Sequence, residues 1–173
     1  MRLFTERGYE ATTIADIAAA AELAPRTVTG YFPSKIDMAT AVSDEVADRL
    51  AAALAASDGA DLVTLLGRWL TAEVTSDDFD LIRLSADMNE ANPVLGAVSS
   101  SHVTAATALA TTVIANHLGV PTDHPAVTIC VGAIGNALGI YIATVARQGP
   151  DEQLRRWFLN FITAMLRDAQ FTN

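Results

Sequence analysis

The chain has 173 residues, of which 51% are apolar and 18% charged, a composition that argues against long disordered stretches and allows a buried core. Its formal net charge of −9 disfavours a general affinity for nucleic acid, because binding to phosphates needs positive charge, so any contact with DNA must be local. A single cysteine, Cys130, excludes a disulfide framework within the chain and a cysteine-rich metal site.

The composition also predicts the fold class and the compartment. Alanine is abundant and alternating β-branched residues are almost absent, so we expect an all-α fold. A helix-like segment follows Met1 directly, without the basic and apolar regions of a secretory signal, and we therefore expect a cytoplasmic protein. The histidines at positions 102, 117 and 124 lack metal-ligand spacing, so no metal and no cofactor is predicted.

The first third of the chain contains four predicted helices, over residues 1–7, 13–20, 25–31 and 34–56. Gly8 ends the first helix, and Thr13 and Asp16 form a capping box that begins the second. Pro25 is suited to the first position of the third helix, and Ser34 caps the fourth. A Ser-Asp-Gly sequence at residues 57–59 ends the fourth helix.

Five further helices are predicted, which brings the total to nine. The fifth carries an apolar ridge from Leu62 to Trp69, and a capping sequence at residues 76–78 begins the sixth. The seventh is predicted from Asn92-Pro93 to about residue 118, and the eighth from residues 122–125 to about residue 147. The ninth begins at residues 149–150 and has apolar residues at steps of three and four, which predicts an amphipathic helix.

The second and third predicted helices form a helix-turn-helix arrangement, in which the later helix lies in the major groove of DNA. Helical spacing places Val28 and Phe32 on the inner face of that later helix, and Arg26, Thr27 and Gly30 on its outer face. Because arginine can donate two hydrogen bonds to guanine, Arg26 is our first candidate for reading base sequence. The alternative is that Arg26 is a solvated surface charge.

Residues 3–42 contain a series of residue pairs around two turns: Leu3-Phe4, Gly8-Tyr9, Thr12-Thr13, Ile17-Ala18, Pro25 to Gly30, Tyr31-Phe32 and Ser34-Lys35. This pattern resembles that of the TetR family of transcriptional regulators. The resemblance implies that the helix from Pro25 to Gly30 binds DNA. It also implies that four side chains contact the phosphate backbone: Thr13, Thr29, Tyr31 and Lys35.

These phosphate contacts have alternatives, and the sequence departs from the family pattern. Thr13 can serve as an N-cap alone, Tyr31 as a core aromatic, and Lys35 as an ordinary surface lysine. The first helix is short, Glu22 stands where the family usually has glycine, and Thr29 stands where it usually has an aromatic residue. The short first helix, the acidic balance of the chain and Gly30, which offers no side chain to read bases, keep open an alternative function, a helical ligand-binding or interaction dimer that has lost DNA binding.

The resemblance further implies two domains, a DNA-binding head over residues 1–40 and a dimerisation and ligand-binding body over residues 41–173. The last two helices would form a homodimer, and a ligand cavity would lie among the fifth to eighth helices. Candidate ligand-binding residues are Trp69, Met88, His102 and Asn136, each of which core packing also explains. The implied function is a repressor released from a palindromic operator by a small apolar ligand, although an activator fits the same pattern. No catalytic motif is recognised, so we do not expect an enzyme.

Residues 126–146 contain no charged side chain and have the length of a membrane-spanning helix. Three glycines and Asn136 interrupt this stretch, and a helix buried in a dimer core is also apolar on all sides. We therefore predict a helix of a soluble dimer and no membrane partner.

Overall fold

The computed structural model describes residues 1–56, 61–98 and 100–169, and the regular secondary structure within them is entirely helical. The predicted all-α fold is therefore confirmed. The helices are α1 (Arg2–Arg7), α2 (Ile14–Ala20), α3 (Pro25–Tyr31), α4 (Lys35–Ala55), α5 (Leu62–Val74), α6 (Phe79–Ala91), the 3-10 helix η1 (Pro93–Ala97), α7 (Ser101–Leu118), α8 (Pro125–Gln148) and α9 (Glu152–Asp168).

Local capping sets the starts of the early helices. The Thr13 hydroxyl accepts a hydrogen bond from the backbone N–H of Asp16, and the Asp16 carboxylate accepts one from the backbone N–H of Thr13. Ser34 and Asp37 form the same reciprocal pair at the start of α4. Pro25 occupies the first turn of α3, where its missing N–H costs nothing. The four predicted helices are therefore found within one or two residues of their expected bounds.

The seventh helix was predicted to begin at Asn92-Pro93, and this start is wrong. Residues Pro93–Ala97 form the separate turn η1, and α7 begins only at Ser101, where Ser100 accepts a hydrogen bond from the N–H of Val103. The reason is that the Asn92 side chain bonds to distant backbone groups and caps no helix. The predicted break at residues 57–59 lies outside the described residues.

The larger core lies in the body, among α4, α5, α7, α8 and α9. Leu70, Ile162 and Leu166 are almost completely buried there. Burying one such aliphatic side chain stabilises the fold by about 1.5–3 kcal/mol relative to leaving it in water. Tyr141 of α8 stacks on Phe158 of α9, with ring centroids 4.6 Å apart, so one face of α9 is fixed to the body.

A smaller core joins the head to the body. It contains Phe4 of α1, Ala39 of α4, Met88 of α6 and Leu95 of η1. Asn92, at the end of α6, is buried beside it and donates hydrogen bonds to the carbonyl oxygens of Phe4 (2.9 Å) and Met88 (2.8 Å). The first helix of the head is therefore attached to α6 by both apolar and polar contacts.

The helix α8 has two apolar faces. One faces the core through Val127, Ile134 and Val145, whereas Ile129 and Ile140 lie on the other face and are exposed. By length and composition, α8 is also the one helix in the described parts of the chain that could cross a membrane, and 28% of its most apolar stretch is buried. Because the buried face is part of the main core, α8 is integrated into the helical body and leaves one apolar face uncovered.

Candidate nucleic-acid interface and ligand cavity

The helices α2 and α3 pack against each other through Ala18 and Val28, which are both buried. A tight turn joins them, in which the N–H of Leu23 donates to the carbonyl of Ala18 at 2.9 Å. Glu22 in this turn has a φ of 56°, in the left-handed region that favours glycine. A short helix, a tight turn and a second short helix packed on the first form the geometry of a helix-turn-helix.

The outer face of α3 is open to solvent. Arg26, Thr27, Thr29 and Gly30 are exposed, and the side chain of Tyr31 is 77% exposed. Tyr31 is therefore a surface residue, and the alternative interpretation of Tyr31 as a core aromatic residue is wrong. Within the described parts of the chain, Arg26 takes part in no ion pair, so its charge is available to a partner. This surface offers a guanidinium, hydroxyls and a phenol to DNA.

Phe32 was predicted to face inward with Val28, and this prediction is wrong. Its side chain is 37% exposed, and its backbone is extended, with a φ of −127° and a ψ of 104°. Phe32 caps the end of α3 instead of continuing it, so helical spacing no longer decides where its side chain points. The inward anchor of α3 is therefore Val28.

The Thr13 hydroxyl is confirmed as an N-cap. It accepts from the backbone N–H of Asp16 at 3.1 Å, and it donates to the Asp16 carboxylate. Hydrogen bonds from Thr13 hold the pKa of Asp16 below its usual range, so this acidic side chain stays ionised at the start of α2. Thr13 is exposed, and a phosphate contact at this position would have to accommodate the neighbouring negative charge.

Lys35 has an internal role that the sequence did not indicate. Its Nζ donates to the carbonyl oxygens of Tyr9 at 2.8 Å and Glu10 at 3.4 Å, and it lies 4.2 Å from the centroid of the Tyr9 ring. These contacts fasten the start of α4 to the segment between α1 and α2. The partners are backbone groups 25 and 26 residues away in the sequence, and no local sequence pattern predicts contacts over such a distance.

A cavity of about 260 Å³ lies in the body, between α4, α5, α7 and α8. The helix α4 lines it with Ser43, Val46, Leu50 and other side chains, and α5 contributes Trp69. Among the lining side chains in the described parts of the chain, none is charged, and only those of Ser43, Trp69 and Thr107 carry a polar atom. An uncharged, concave and mostly apolar wall is typical of a small-molecule site.

The structure separates the four candidate ligand-binding residues. Trp69 lines the cavity, but Met88 is buried in the smaller core and Asn136 is exposed on α8. His102 is exposed on α7, and its Nδ1 lies 2.8 Å from a carboxylate oxygen of Asp48 on α4. That hydrogen bond raises the pKa of His102 above its ordinary value.

The sequence did not predict that α4 lines the cavity, because an apolar ridge on a long helix is equally typical of core packing.

The comparisons with known proteins bear on the head. The sequence model of the family described as "Bacterial regulatory proteins, tetR family" matches residues 1–42. No curated protein matches the chain. The matched segment covers α1, α2, α3 and the start of α4, the elements that build the helix-turn-helix. Residues 1–42 therefore match the N-terminal DNA-binding domain of TetR-family regulators, a match that supports a TetR-like DNA-binding regulator.

Proposed function

We propose that this regulator is a repressor that leaves a palindromic operator when a small, mainly apolar molecule binds in the cavity of its body. The observation that carries the proposal is the path of α4. This helix begins in the head at Lys35, and its later turns line the cavity through Val46, Leu50 and Leu54. A molecule that moves α4 therefore also moves the head.

In this proposal the head (residues 1–40) binds DNA, and the body (residues 41–173) dimerises and binds the ligand. Arg26 reads base edges in the major groove, with Pro25, Thr27 and Gly30 on the same helix close to the bases. Thr13, Thr29, Tyr31 and Lys35 contact the phosphates. The exposure of Arg26 and Tyr31 supports these roles, whereas the engagement of Lys35 with backbone carbonyls leaves only part of its hydrogen-bonding capacity for DNA.

The proposed dimer forms through α8 and α9. Their outer faces carry Ile129, Ile140, Trp157 and Phe161, which are all exposed large apolar side chains. Trp157 and Phe161 stack on each other with ring centroids 5.9 Å apart. An apolar surface of this kind favours association with a second copy, and a twofold axis would place two heads on a palindromic operator.

The release mechanism is a shift between two body conformations. Two polar side-chain pairs join α4 to the helices of the body: Arg49 with the buried carboxylate of Glu73 on α5, through two hydrogen bonds of 2.8 Å, and Asp48 with His102 on α7. A ligand that fits best when α4 has moved would favour that conformation, in which the heads no longer match adjacent half-sites. A ligand that fits the present conformation better would instead strengthen DNA binding.

Selection of bound duplexes from random DNA tests the proposal, with the wild-type protein compared with Arg26→Ala. We expect the wild type to enrich a palindrome and Arg26→Ala to lose base preference at one or two positions in each half-site. Loss of each Arg26–base contact should weaken the binding free energy by about 1–3 kcal/mol. Arg83→Ala is the matched control, because Arg83 is an exposed arginine on α6, in the body. It should enrich the same palindrome as the wild type.

Two other results would give the chain a different function. If no duplex is enriched even at low salt, the head does not read DNA, and the chain is better described as a helical ligand-binding dimer. If a palindrome is enriched but no small molecule that binds the cavity changes the affinity for it, the regulator remains and its release by a ligand is wrong.

A further inference from the structure

The cavity wall excludes one large class of ligands. No lining side chain in the described parts of the chain is charged, and Arg49 of α4 is already paired with Glu73 of α5. An ionised carboxylate or ammonium that entered the cavity would lose its water and gain no counter-charge. The cavity therefore suits molecules that are neutral at physiological pH.

One polar atom at the cavity lacks a partner among the described residues. Trp69 lines the cavity, its side chain is almost completely buried, and no acceptor in the described parts of the chain bonds to its indole Nε1. The indole N–H is a donor only, and a buried tryptophan N–H usually finds an acceptor. A ligand atom that accepts this hydrogen bond would supply the missing partner.

The other two polar side chains of the wall do not offer the same opportunity. The Thr107 hydroxyl already donates to the carbonyl of Val103 in its own helix at 2.8 Å. The Ser43 hydroxyl both donates and accepts, so it can form hydrogen bonds with water, with a ligand donor or with a ligand acceptor. Trp69 is therefore the group that distinguishes an acceptor-bearing ligand from a pure hydrocarbon.

We propose that the ligand of this cavity is a neutral, mainly hydrocarbon molecule carrying a hydrogen-bond acceptor, such as a ketone, ester or ether oxygen, and that the Trp69 N–H donates to that acceptor. This inference rests on the proposed function only in taking the cavity as a ligand site. It names the chemical class of the ligand and the residue that selects it.

Three probes with the same carbon skeleton test this class: butyrophenone, which has a carbonyl, butylbenzene, which has no polar atom, and 4-phenylbutyrate, which is ionised near neutral pH. Calorimetric titration of the full chain should show butyrophenone binding about 5- to 10-fold more tightly than butylbenzene, as expected for one neutral hydrogen bond. No binding of 4-phenylbutyrate is expected. Equal affinity for the two neutral probes, tighter binding of the ionised probe, or no binding of butyrophenone overturns the proposal.

The variant Trp69→Phe keeps an aromatic ring and removes the N–H. We expect the ratio of the two neutral affinities to fall to about 1. An unchanged ratio in Trp69→Phe contradicts the proposal.

The two tryptophans also give two indole N–H signals by NMR, which Trp157→Phe assigns. Butyrophenone should move the Trp69 signal downfield and butylbenzene should not, a readout that does not depend on the folding of Trp69→Phe.

A third variant tests the location. Gly135 of α8 lines the cavity, and a Cβ atom added there would meet no described atom within 4 Å outside its neighbours and its own helix backbone, so Gly135→Leu adds a bulky side chain at the cavity wall without a clash at Cβ. Both neutral probes should lose binding in this variant and keep it in the control Gly96→Leu, on η1. Retained binding in Gly135→Leu places the probes elsewhere and overturns the proposal. These titrations contain no DNA. If a probe binds as expected but does not change the affinity of the protein for the operator, the proposed release by a ligand is wrong and the ligand class proposed here still holds.

Discussion

At Glu22 the turn between α2 and α3 uses a backbone conformation that suits glycine better than glutamate. A residue with a side chain at a φ of 56° is strained, and the usual TetR-like sequence has glycine at this position. The local sequence therefore predicted the turn correctly, and the structure shows that Glu22 adopts the left-handed conformation that the turn requires.

We expect Glu22→Gly to raise the free energy of unfolding by about 0.5–1 kcal/mol, because the relief of strain exceeds the extra chain entropy of glycine in the unfolded state. Urea denaturation followed by circular dichroism measures this difference. Glu22→Ala is the control, since it removes the same charge but keeps the strain, and its stability should stay near that of the wild type. Equal stabilisation by both variants would assign the effect to charge.

Single residues also show where sequence reasoning ends. Thr13 and Ser34 were predicted correctly as caps, because each bonds to a residue three positions further along the chain. Lys35 and Asn92 bond to backbone groups 25 or more residues away, and nothing in their surroundings in the sequence reveals these partners. Candidate ligand residues were also difficult to choose, because Trp69 and Met88 are both apolar and only the packing of four helices separates a cavity wall from a core.

At the scale of elements, the junction between α1 and α6 connects the head to the body. Asn92 makes three hydrogen bonds there: it donates to Phe4 and Met88, and its Oδ1 accepts from the backbone N–H of Tyr9. This side chain also explains the late start of α7, because it cannot cap a helix while it holds α1. Periodicity predicted that helices exist in this region, but the division between η1 and α7 depends on these long-range bonds.

The variant Asn92→Ala leaves the backbone N–H of Tyr9 without its acceptor and removes the side-chain donors to the carbonyl oxygens of Phe4 and Met88, of which Phe4 keeps a hydrogen bond from Gly8. We expect it to lower the free energy of unfolding by about 2–3 kcal/mol. The control Asn116→Ala removes an exposed amide from α7 and should change stability by less than about 0.5 kcal/mol. Thermal and urea unfolding of both variants provide the comparison, and a loss below about 1 kcal/mol in Asn92→Ala would mean that water replaces these bonds at little cost.

At the scale of the whole molecule, the uncovered apolar faces of α8 and α9 determine the expected assembly. Trp157 is 61% exposed and Ile129 is 68% exposed, although both are large apolar residues. The charge-free composition of residues 126–146 predicted a helix in the core of a dimer, and within one chain only one face of this helix is buried. The proposed second copy would cover the exposed face.

Phe161→Asp introduces a charge into this proposed interface, and we expect the variant to be monomeric at concentrations where the wild type is dimeric. The shift follows from the cost of burying an unpaired carboxylate between two copies. Sedimentation velocity distinguishes the two states. Val94→Asp is the matched control, because Val94 is an exposed apolar residue on η1, away from both helices, and it should leave the dimer intact. A dimer that persists in Phe161→Asp would place the interface elsewhere.

The central claim is that two heads of one dimer read two half-sites of DNA together, and the spacing of the half-sites tests it most directly. The wild-type protein is titrated, with fluorescence anisotropy as the signal, onto its selected palindrome and onto the same duplex with about 5 base pairs inserted at the centre, which turns one half-site to the opposite side of the helix. We predict that the insertion weakens binding about 100-fold, because only one head can then engage at a time. Equal affinity for the two duplexes would contradict a symmetric dimer that reads a palindromic operator.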